Sequence, residues 1–284
     1  MNVKTMLFIM NPFAGQKRAN RVLPDILLLF SQAGYDMHTV MTTGTGAATR
    51  AAQALGGDVD LVVCCGGDGT LNEPTGTTND FAASLGLSHN PVQAAKDILG
   101  GEVHTYDAGR FGARYFSYVA SFGAFTRSSY IVPQNIKNAL GHTAYVLGGI
   151  SELSQIRNEH IRMDIDGEIV EDDFLFGAIC NSTSIGGILT LDPEQVDMGD
   201  GLFEVMLVRM PRSFAELSEC LRAVQSQDYN CEMITFRSAS HIRVEADPTM
   251  AWSLDGEKEE GHAVVEVENL HHAIHLIQGK KADA

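Results

Sequence analysis

The chain has 284 residues, of which 44% are hydrophobic and 20% are charged, and its 36 acidic and 20 basic residues give a formal net charge of −16. This composition is typical of a globular protein large enough for two domains, and so acidic a surface argues against nucleic acid as a partner. No apolar run approaches the roughly 18 residues of a membrane-spanning helix, and the five cysteines show no C-x-x-C spacing, so we expect a cytoplasmic protein in a reducing compartment.

Strands and helices alternate over the first part of the sequence. Hydrophobic periodicity predicts a strand over 4–10, a helix over 18–34, a strand over 35–43, a helix over 46–57 and a strand over 59–65. Pro24 favours a regular helix that begins at that residue. The run 59–65, apolar apart from Asp60, is typical of a strand buried on both faces, with Cys64 and Cys65 as buried thiols. The pattern predicts a parallel sheet with helices on its faces.

The pattern changes after Asp107. Short alternating runs, interrupted by a helix over 213–225, predict an antiparallel β-rich region. Residues 135–156 have the periodicity of one or two further helices. We therefore expect an α/β domain over 1–110 and a β-rich domain over 111–284, and leave open whether the last residues pack back on the first domain.

Two glycine-rich turns follow the third predicted strand. The turn Gly66–Thr70 lies where a parallel strand reaches the carboxyl edge of its sheet, and its glycines let backbone N–H groups approach phosphate oxygens. The turn Gly76–Asp80 has hydroxyl and amide side chains ahead of a short helix. The structural alternatives are a simple strand-to-helix turn with Asp68 as a cap, and an N-cap at Thr78 or Asn79.

Together "GGDGTLNE" and "GTTNDFA" resemble the diacylglycerol kinase catalytic family, soluble lipid kinases that include bacterial diacylglycerol kinases and sphingosine kinases. Further segments fall in the family's order: "NPFAG" (11–15), "TTGTGAA" (42–48), "NSTSIGG" (181–187), "DMGDGLFEV" (197–205) and "WSLDGE" (252–257). The resemblance implies a parallel α/β nucleotide domain, related to those of phosphofructokinases and NAD kinases, followed by an antiparallel β-sandwich domain.

The resemblance also implies roles for particular residues. Asp255 is expected to be the base that receives the hydroxyl proton, with Glu257 assisting and Asp68 near Mg²⁺ or the substrate hydroxyl. Without the family, a D-G-E turn indicates a plain hairpin corner. The residues expected to hold the nucleotide are Asn11, Thr43, Gly66, Gly67, Asp68, Gly69, Thr70, Gly76, Thr77 and Asn79. Those expected near metal are Asp68, Asp80, Asp107 and Asp200.

The function implied is transfer of the γ-phosphoryl group of ATP, with Mg²⁺, to the hydroxyl of diacylglycerol or a related lipid alcohol. The acceptor would be met at a membrane surface by a peripheral cytoplasmic protein, and a homodimer is left open. One alternative is an NAD kinase-like small-molecule kinase, because "GGDGT" is shared with that family. The other is a nucleotide-binding pseudokinase.

The histidines do not predict a metal site. His271 and His272 are adjacent, and neighbouring residues on a regular strand point to opposite faces of the sheet. His275 continues no ligand spacing.

The spacing of the two glycine-rich turns departs from the family. Only residues 71–75 separate them, whereas a return to the same sheet edge needs a crossover of about a dozen residues or more. Pro74 would also stop a helix that began at Thr70. Our hypothesis is that a helix–strand segment is absent between the turns. If the deletion is real, the nucleotide pocket has lost one wall, which favours the pseudokinase alternative.

Overall fold

The computed structural model describes residues 3–13, 18–44, 46–66, 85–88, 90–123, 158–185, 189–191 and 196–279. The chain divides into two compact units, Met1–Thr105 with His275–Ala284, and Tyr106–Ile274. The elements before the division are β1 (Lys4–Met10), α1 (Arg18–Gln32), β2 (Tyr35–Met41), α2 (Ala47–Leu55) with a 3-10 turn at Gly56–Asp58, β3 (Leu61–Cys65) and α3 (Pro91–Gly100). The elements that follow are β4 (Glu102–Phe111), β5 (Arg114–Phe116), β6 (Val119–Gly123), β7 (Glu159–Ile165), β8 (Glu168–Cys180), β9 (Ser184–Ile185), β10 (Leu189–Thr190), β11 (Phe203–Arg209), α4 (Phe214–Ser226), β12 (Ile234–Ala239), β13 (His241–Ala246), β14 (Trp252–Leu254), β15 (Glu257–Glu259) and β16 (Val264–Gln278).

The first unit contains a parallel sheet in the order β2-β1-β3. Alternate residues of β1 face opposite sides of the sheet, and both sides are apolar. Phe8 packs in a cluster with Phe30 of α1 and Ala95 of α3, while Leu7 packs in a separate cluster with Ala48 of α2. Helices therefore cover both faces of the sheet, as predicted.

Helix α1 continues through Pro24 and begins at Arg18. The prediction that the regular helix starts at the proline is therefore wrong. An interior proline removes one helical hydrogen bond and costs about 3 kcal/mol. Packing explains why the helix persists, since Ile26 and Phe30, just after the proline, are buried against the sheet.

Strand β3 differs from the prediction of a strand buried on both faces. In the described sheet it lies beside β1 at one edge, and of its residues Val63 is buried while Cys64 is exposed and Cys65 half-buried. The fully buried strand is β1, which has a partner on each side. An apolar run identified a strand correctly but did not identify its place in the sheet.

The second unit is built on antiparallel strands. The sheet order is β15-β14-β6-β8-β7-β13-β16-β4-β5, with β11 pairing β8 and β12. Residues from most of these strands share one core around Trp252, whose ring lies 4.9 Å from that of Phe111 and 5.0 Å from that of Phe122. The sheet therefore curls around its own apolar face.

The predicted fold class, a parallel α/β region followed by an antiparallel β-rich region, is confirmed. The predicted helix over 213–225 is confirmed as α4, which begins after Ser213, whose Oγ accepts the N–H of Glu216 at 3.2 Å. The helices predicted over 135–156 lie outside the described residues. Within the described part of the chain, no helix combines the length and apolar character that crossing a bilayer requires.

Candidate functional site

Three predicted site residues lie at the carboxyl edge of the parallel sheet. The register pairs Met10 of β1 with the last residues of both β2 and β3, so Asn11, Thr43 and Gly66 lie just beyond neighbouring strand ends. The Asn11 N–H donates to the Cys65 carbonyl at 2.9 Å, and the N–H of Thr42 donates to the Met10 carbonyl at 2.8 Å. This edge is where open α/β sheets bind their ligands.

The side chain of Asn11 is held by its own turn, because its Oδ1 accepts the N–H of Phe13 at 3.0 Å. Thr43 and Gly66 are exposed. The other predicted nucleotide-side residues, Gly67, Asp68, Gly69, Thr70, Gly76, Thr77, Asn79 and Asp80, lie outside the described residues.

Asp255 lies in the two-residue turn between β14 and β15. Its φ is 50° and that of Gly256 is 85°, as a type I′ hairpin turn requires. The Asp255 N–H donates to the Val119 carbonyl at 2.8 Å, which fastens the turn to β6. The local sequence thus forms the hairpin corner that the structural alternative predicted.

The carboxylate of Asp255 is buried, with 5% of the residue exposed. Its Oδ2 accepts the N–H of Ser117 at 2.6 Å, and its Oδ1 accepts the N–H groups of Tyr118 at 3.0 Å and Val119 at 2.9 Å. Burial raises the pKa of Asp255 to about 7 and the charge of Glu257 adds to the rise, whereas the three N–H donors lower it. The result is a fixed carboxyl group whose protonation changes near neutral pH.

Arg114 is a residue that the sequence interpretation missed. Its guanidinium lies 3.2 Å from Glu257 Oε2 and 3.0 Å from Glu259 Oε2, so it pairs with both ends of β15. Glu257, predicted to assist Asp255, is therefore in an ion pair. The partners are more than 140 positions apart, and the sequence order contains no signal for this contact.

Asp107 is fully buried in β4 and connects three segments of the second unit. Its Oδ2 accepts the N–H of Gly201 at 2.7 Å, and its Oδ1 accepts the N–H of His272 at 2.7 Å. Nδ1 of His271 lies 3.1 Å from the same Oδ1.

The two histidines contradict the expectation that they face opposite ways. His272 has a φ of 54°, which turns the chain, and the two imidazole rings stack with centroids 3.7 Å apart. Asp107, His271 and His272 each place a potential metal-ligand atom within 4.8 Å of the other two, a grouping that the sequence interpretation did not anticipate. A local backbone conformation that sequence order does not reveal is the reason.

Asp200 is exposed, and its Oδ1 accepts the N–H of Leu202 at 2.9 Å, the local bond that aspartates in glycine-rich turns commonly make. Nearby, Glu204 was missed by the sequence interpretation. It is 2% exposed, and its Oε2 has no hydrogen-bond partner among the described residues. Burial raises the pKa of Glu204 to about 8, and the charges of Asp200 and Asp197 add to the rise.

Two family models match the chain. The diacylglycerol kinase catalytic domain matches residues 5–73 and 74–111, and the YegS C-terminal NAD kinase beta sandwich-like domain matches residues 119–278. The first match is divided between Glu73 and Pro74, in the short interval between the two glycine-rich turns.

Curated relatives and solved structures cover almost the whole chain. A diacylglycerol kinase of Bacillus subtilis is 31% identical over 302 positions, covering 98% of each chain. One of Staphylococcus saprophyticus is 30% identical and covers 89% of each chain. A solved structure of a proposed diacylglycerol kinase from Bacillus anthracis has a TM-score of 0.77 at 25% identity and covers 97% of this chain and 95% of its own.

The alignment with the Bacillus subtilis relative is longer than this chain. The alignment spans 302 residues, against the 284 of this chain. The family models, the relatives and the fold agree over both regions of the protein, and the chain belongs to the diacylglycerol kinase family.

Proposed function

We propose that the protein is an ATP- and Mg²⁺-dependent lipid kinase that phosphorylates the hydroxyl of diacylglycerol or a related lipid alcohol. The observation that carries this proposal is the carboxyl group of Asp255, which is buried, held by three backbone N–H groups and has a pKa near 7. Family membership supports the kinase class, and relatives named diacylglycerol kinase support the acceptor.

In the proposed reaction the acceptor oxygen attacks the γ-phosphorus of ATP. The new phosphorus–oxygen bond forms as the bond to the β-phosphate oxygen breaks, ADP leaves, and Asp255 receives the hydroxyl proton. A carboxylate has about four lone-pair sites, and three of those on Asp255 accept backbone N–H groups, which leaves one on Oδ2 for the proton. A base with a pKa near the working pH suits this role.

The nucleotide is proposed to bind at the edge of the parallel sheet. Asn11, Thr43 and Gly66 lie at neighbouring strand ends there, which supports the proposal. By resemblance, Gly67, Asp68, Gly69, Thr70, Gly76, Thr77 and Asn79 would complete the phosphate-binding loops.

Carboxylates are the ligands that Mg²⁺ prefers, and the ion would neutralise charge on the transferring phosphoryl group. Asp68 and Asp80 are proposed to hold it with the phosphates. By resemblance, Asp107 would be a further carboxylate beside this ion, and the N–H groups of Gly201 and His272 fix its position while leaving one lone pair on each oxygen. Asp200 is exposed and fits only a peripheral cation.

A lipid acceptor does not dissolve in water, so we propose that the protein works as a peripheral cytoplasmic protein at a membrane surface. We also retain a homodimer as a proposal. The second candidate function is a nucleotide-binding pseudokinase, which the short interval between residues 70 and 76 favours.

The test is a transfer assay with labelled ATP and the purified full chain. The acceptors are diacylglycerol, a sphingoid base, phosphatidylglycerol and a polyprenol in mixed micelles, with NAD as the competing small-molecule acceptor. We expect labelled phosphatidic acid as the main product. NADP without phosphorylated lipid would select the NAD kinase alternative, and nucleotide binding without turnover on any acceptor would select the pseudokinase.

A further inference from the structure

Two adjacent histidines in β16 present their rings on the same side of the chain. His272 has a φ of 54°, a left-handed conformation that is unfavourable for a residue with a Cβ atom. The rings of His271 and His272 stack at 3.7 Å with an angle of 27° between their planes. A strained residue that brings two metal-binding side chains together suggests a role beyond strand pairing.

The carboxylate of Asp107 is fixed beneath this histidine pair. Its N–H donors from Gly201 and His272 occupy one lone pair on each oxygen. A second lone pair of Oδ1 faces Nδ1 of His271 at 3.1 Å. The fully buried carboxylate and the half-exposed imidazole therefore form a donor pair that opens toward solvent.

We propose that Asp107, His271 and His272 bind one divalent transition-metal ion of the Zn²⁺ class. A donor atom from each of the three residues lies within 4.8 Å of the other two. The carbonyl of Gly199 lies 3.0 Å from Nε2 of His272 and would supply a fourth donor. This site shares Asp107 with the residues that the resemblance places near Mg²⁺, but binding of a transition metal by the histidine pair goes beyond the proposed kinase reaction and can be measured without it.

The observed donor separations are slightly shorter than the edges of such a site. Neighbouring donors around a tetrahedral Zn²⁺ ion, with bonds of about 2.0–2.2 Å, lie about 3.3–3.6 Å apart. The pair Asp107 Oδ1 and His271 Nδ1 is 3.1 Å apart, and the pair His272 Nε2 and Gly199 O is 3.0 Å apart. A single ion would replace the proton in each pair, which requires the exposed imidazole rings to rotate so that the two pairs converge on it.

The donor chemistry selects the metal. Two imidazole nitrogens with oxygen donors favour Zn²⁺, Co²⁺, Ni²⁺ or Cu²⁺ over Mg²⁺. In the metal-bound form each neutral imidazole carries its proton on the other nitrogen, Nε2 of His271 and Nδ1 of His272. Neither atom has a hydrogen-bond partner among the described residues, so both protons can be solvated.

The test uses the tag-free full chain. Calorimetric titration with Zn²⁺ in millimolar Mg²⁺ is expected to show one equivalent of saturable binding, and Co²⁺ is expected to give the visible absorption of a four-coordinate ion. His271→Ala and His272→Ala should each lower the affinity by at least about 100-fold, more than loss of an outer-shell partner typically does. The matched control is His160→Ala, because His160 also contacts a carboxylate, Asp173, at 2.9 Å but has no second histidine beside it.

Binding that is absent, or equally strong in the native protein and in the variant lacking both histidines, would overturn the proposal. Loss of binding in His160→Ala would overturn it too. Thermal unfolding without metal checks that each variant is folded. If a variant fails this check, the Co²⁺ spectrum of the native protein decides, and a six-coordinate spectrum counts against the site.

Discussion

The substitution Asp255→Asn separates the chemical role of this residue from its structural role. The asparagine amide has one oxygen in place of two. That oxygen can accept either the N–H of Ser117 or the N–H groups of Tyr118 and Val119, so the NH₂ group faces at least one buried N–H that then has no acceptor. A buried donor left without a partner costs about 1–3 kcal/mol. Removing a buried charge offsets part of that cost, so we expect the variant to fold with a modest loss of stability.

The expected loss of activity is much larger. Removing a general base lowers kcat/KM by about 10²- to 10⁴-fold. Because the pKa of Asp255 is raised to about 7 and only the ionised form accepts a proton, kcat/KM of the native protein should fall below about pH 7. Initial rates with labelled ATP and diacylglycerol micelles between pH 5.5 and 9 would measure both effects, and the variant should lose this pH dependence.

A second turn of the same construction provides the control. Asp166, between β7 and β8, has a φ of 46°, and its carboxylate accepts the N–H groups of Ser240 at 2.8 Å and His241 at 3.0 Å. Asp166 is exposed, so Asp166→Asn should cost under about 1 kcal/mol and leave kcat/KM within about twofold. If Asp255→Asn keeps more than a tenth of native kcat/KM, or if both variants lose activity equally, the assignment of Asp255 as the base is refuted.

Three further predictions concern stability and chain length. Burial raises the pKa of Glu204 to about 8 in the folded protein, against about 4.5 when unfolded. The free energy of unfolding should therefore fall by up to about 1.4 kcal/mol per pH unit as pH rises between these values. Urea titrations at several pH values should show a weaker pH dependence of stability for Glu204→Gln. A Cβ at Gly109 would lie 2.1 Å from the ring of Phe116, so Gly109→Ala should lower the free energy of unfolding by about 1–3 kcal/mol in chemical denaturation. The control is Gly57→Ala, where a Cβ meets nothing within 4 Å and the change should stay within about 0.5 kcal/mol. The protein expressed from its natural gene should have an intact mass above 30.7 kDa because of a helix–strand segment before Pro74, and a mass equal to that value would reject the segment.

Hydrophobic periodicity was sufficient to predict the elements of the first unit. Alternation along β1 places Phe8 and Leu7 on opposite faces, and each residue has its own helix cluster. Burial depends on neighbours that periodicity does not specify, which is why Cys64 was predicted to be buried and is exposed. The same limit applies to Pro24, where tertiary packing outweighs a local preference.

In the candidate site, positions set by a single strand end could be predicted from sequence, whereas contacts between distant segments could not. Strand ends in register could be predicted for Asn11, Thr43 and Gly66, because parallel strands present their carboxyl ends at one edge. The contact of Arg114 with Glu257 could not be predicted, because it depends on how distant segments meet.

The two Asp-Gly turns show where sequence evidence for a catalytic residue ends. Asp166 and Asp255 have the same turn type and donate an N–H to the carbonyl of the first residue of an adjoining strand. Each accepts N–H groups from that residue and from the one or two residues before it. Local sequence therefore specifies the backbone of both and cannot tell them apart. Burial distinguishes them, since it raises the pKa of Asp255 toward neutrality, whereas Asp166 is exposed. A substitution that exposes Asp255 without changing it should therefore lower the pH at which activity is lost, and the pH profile would measure that shift.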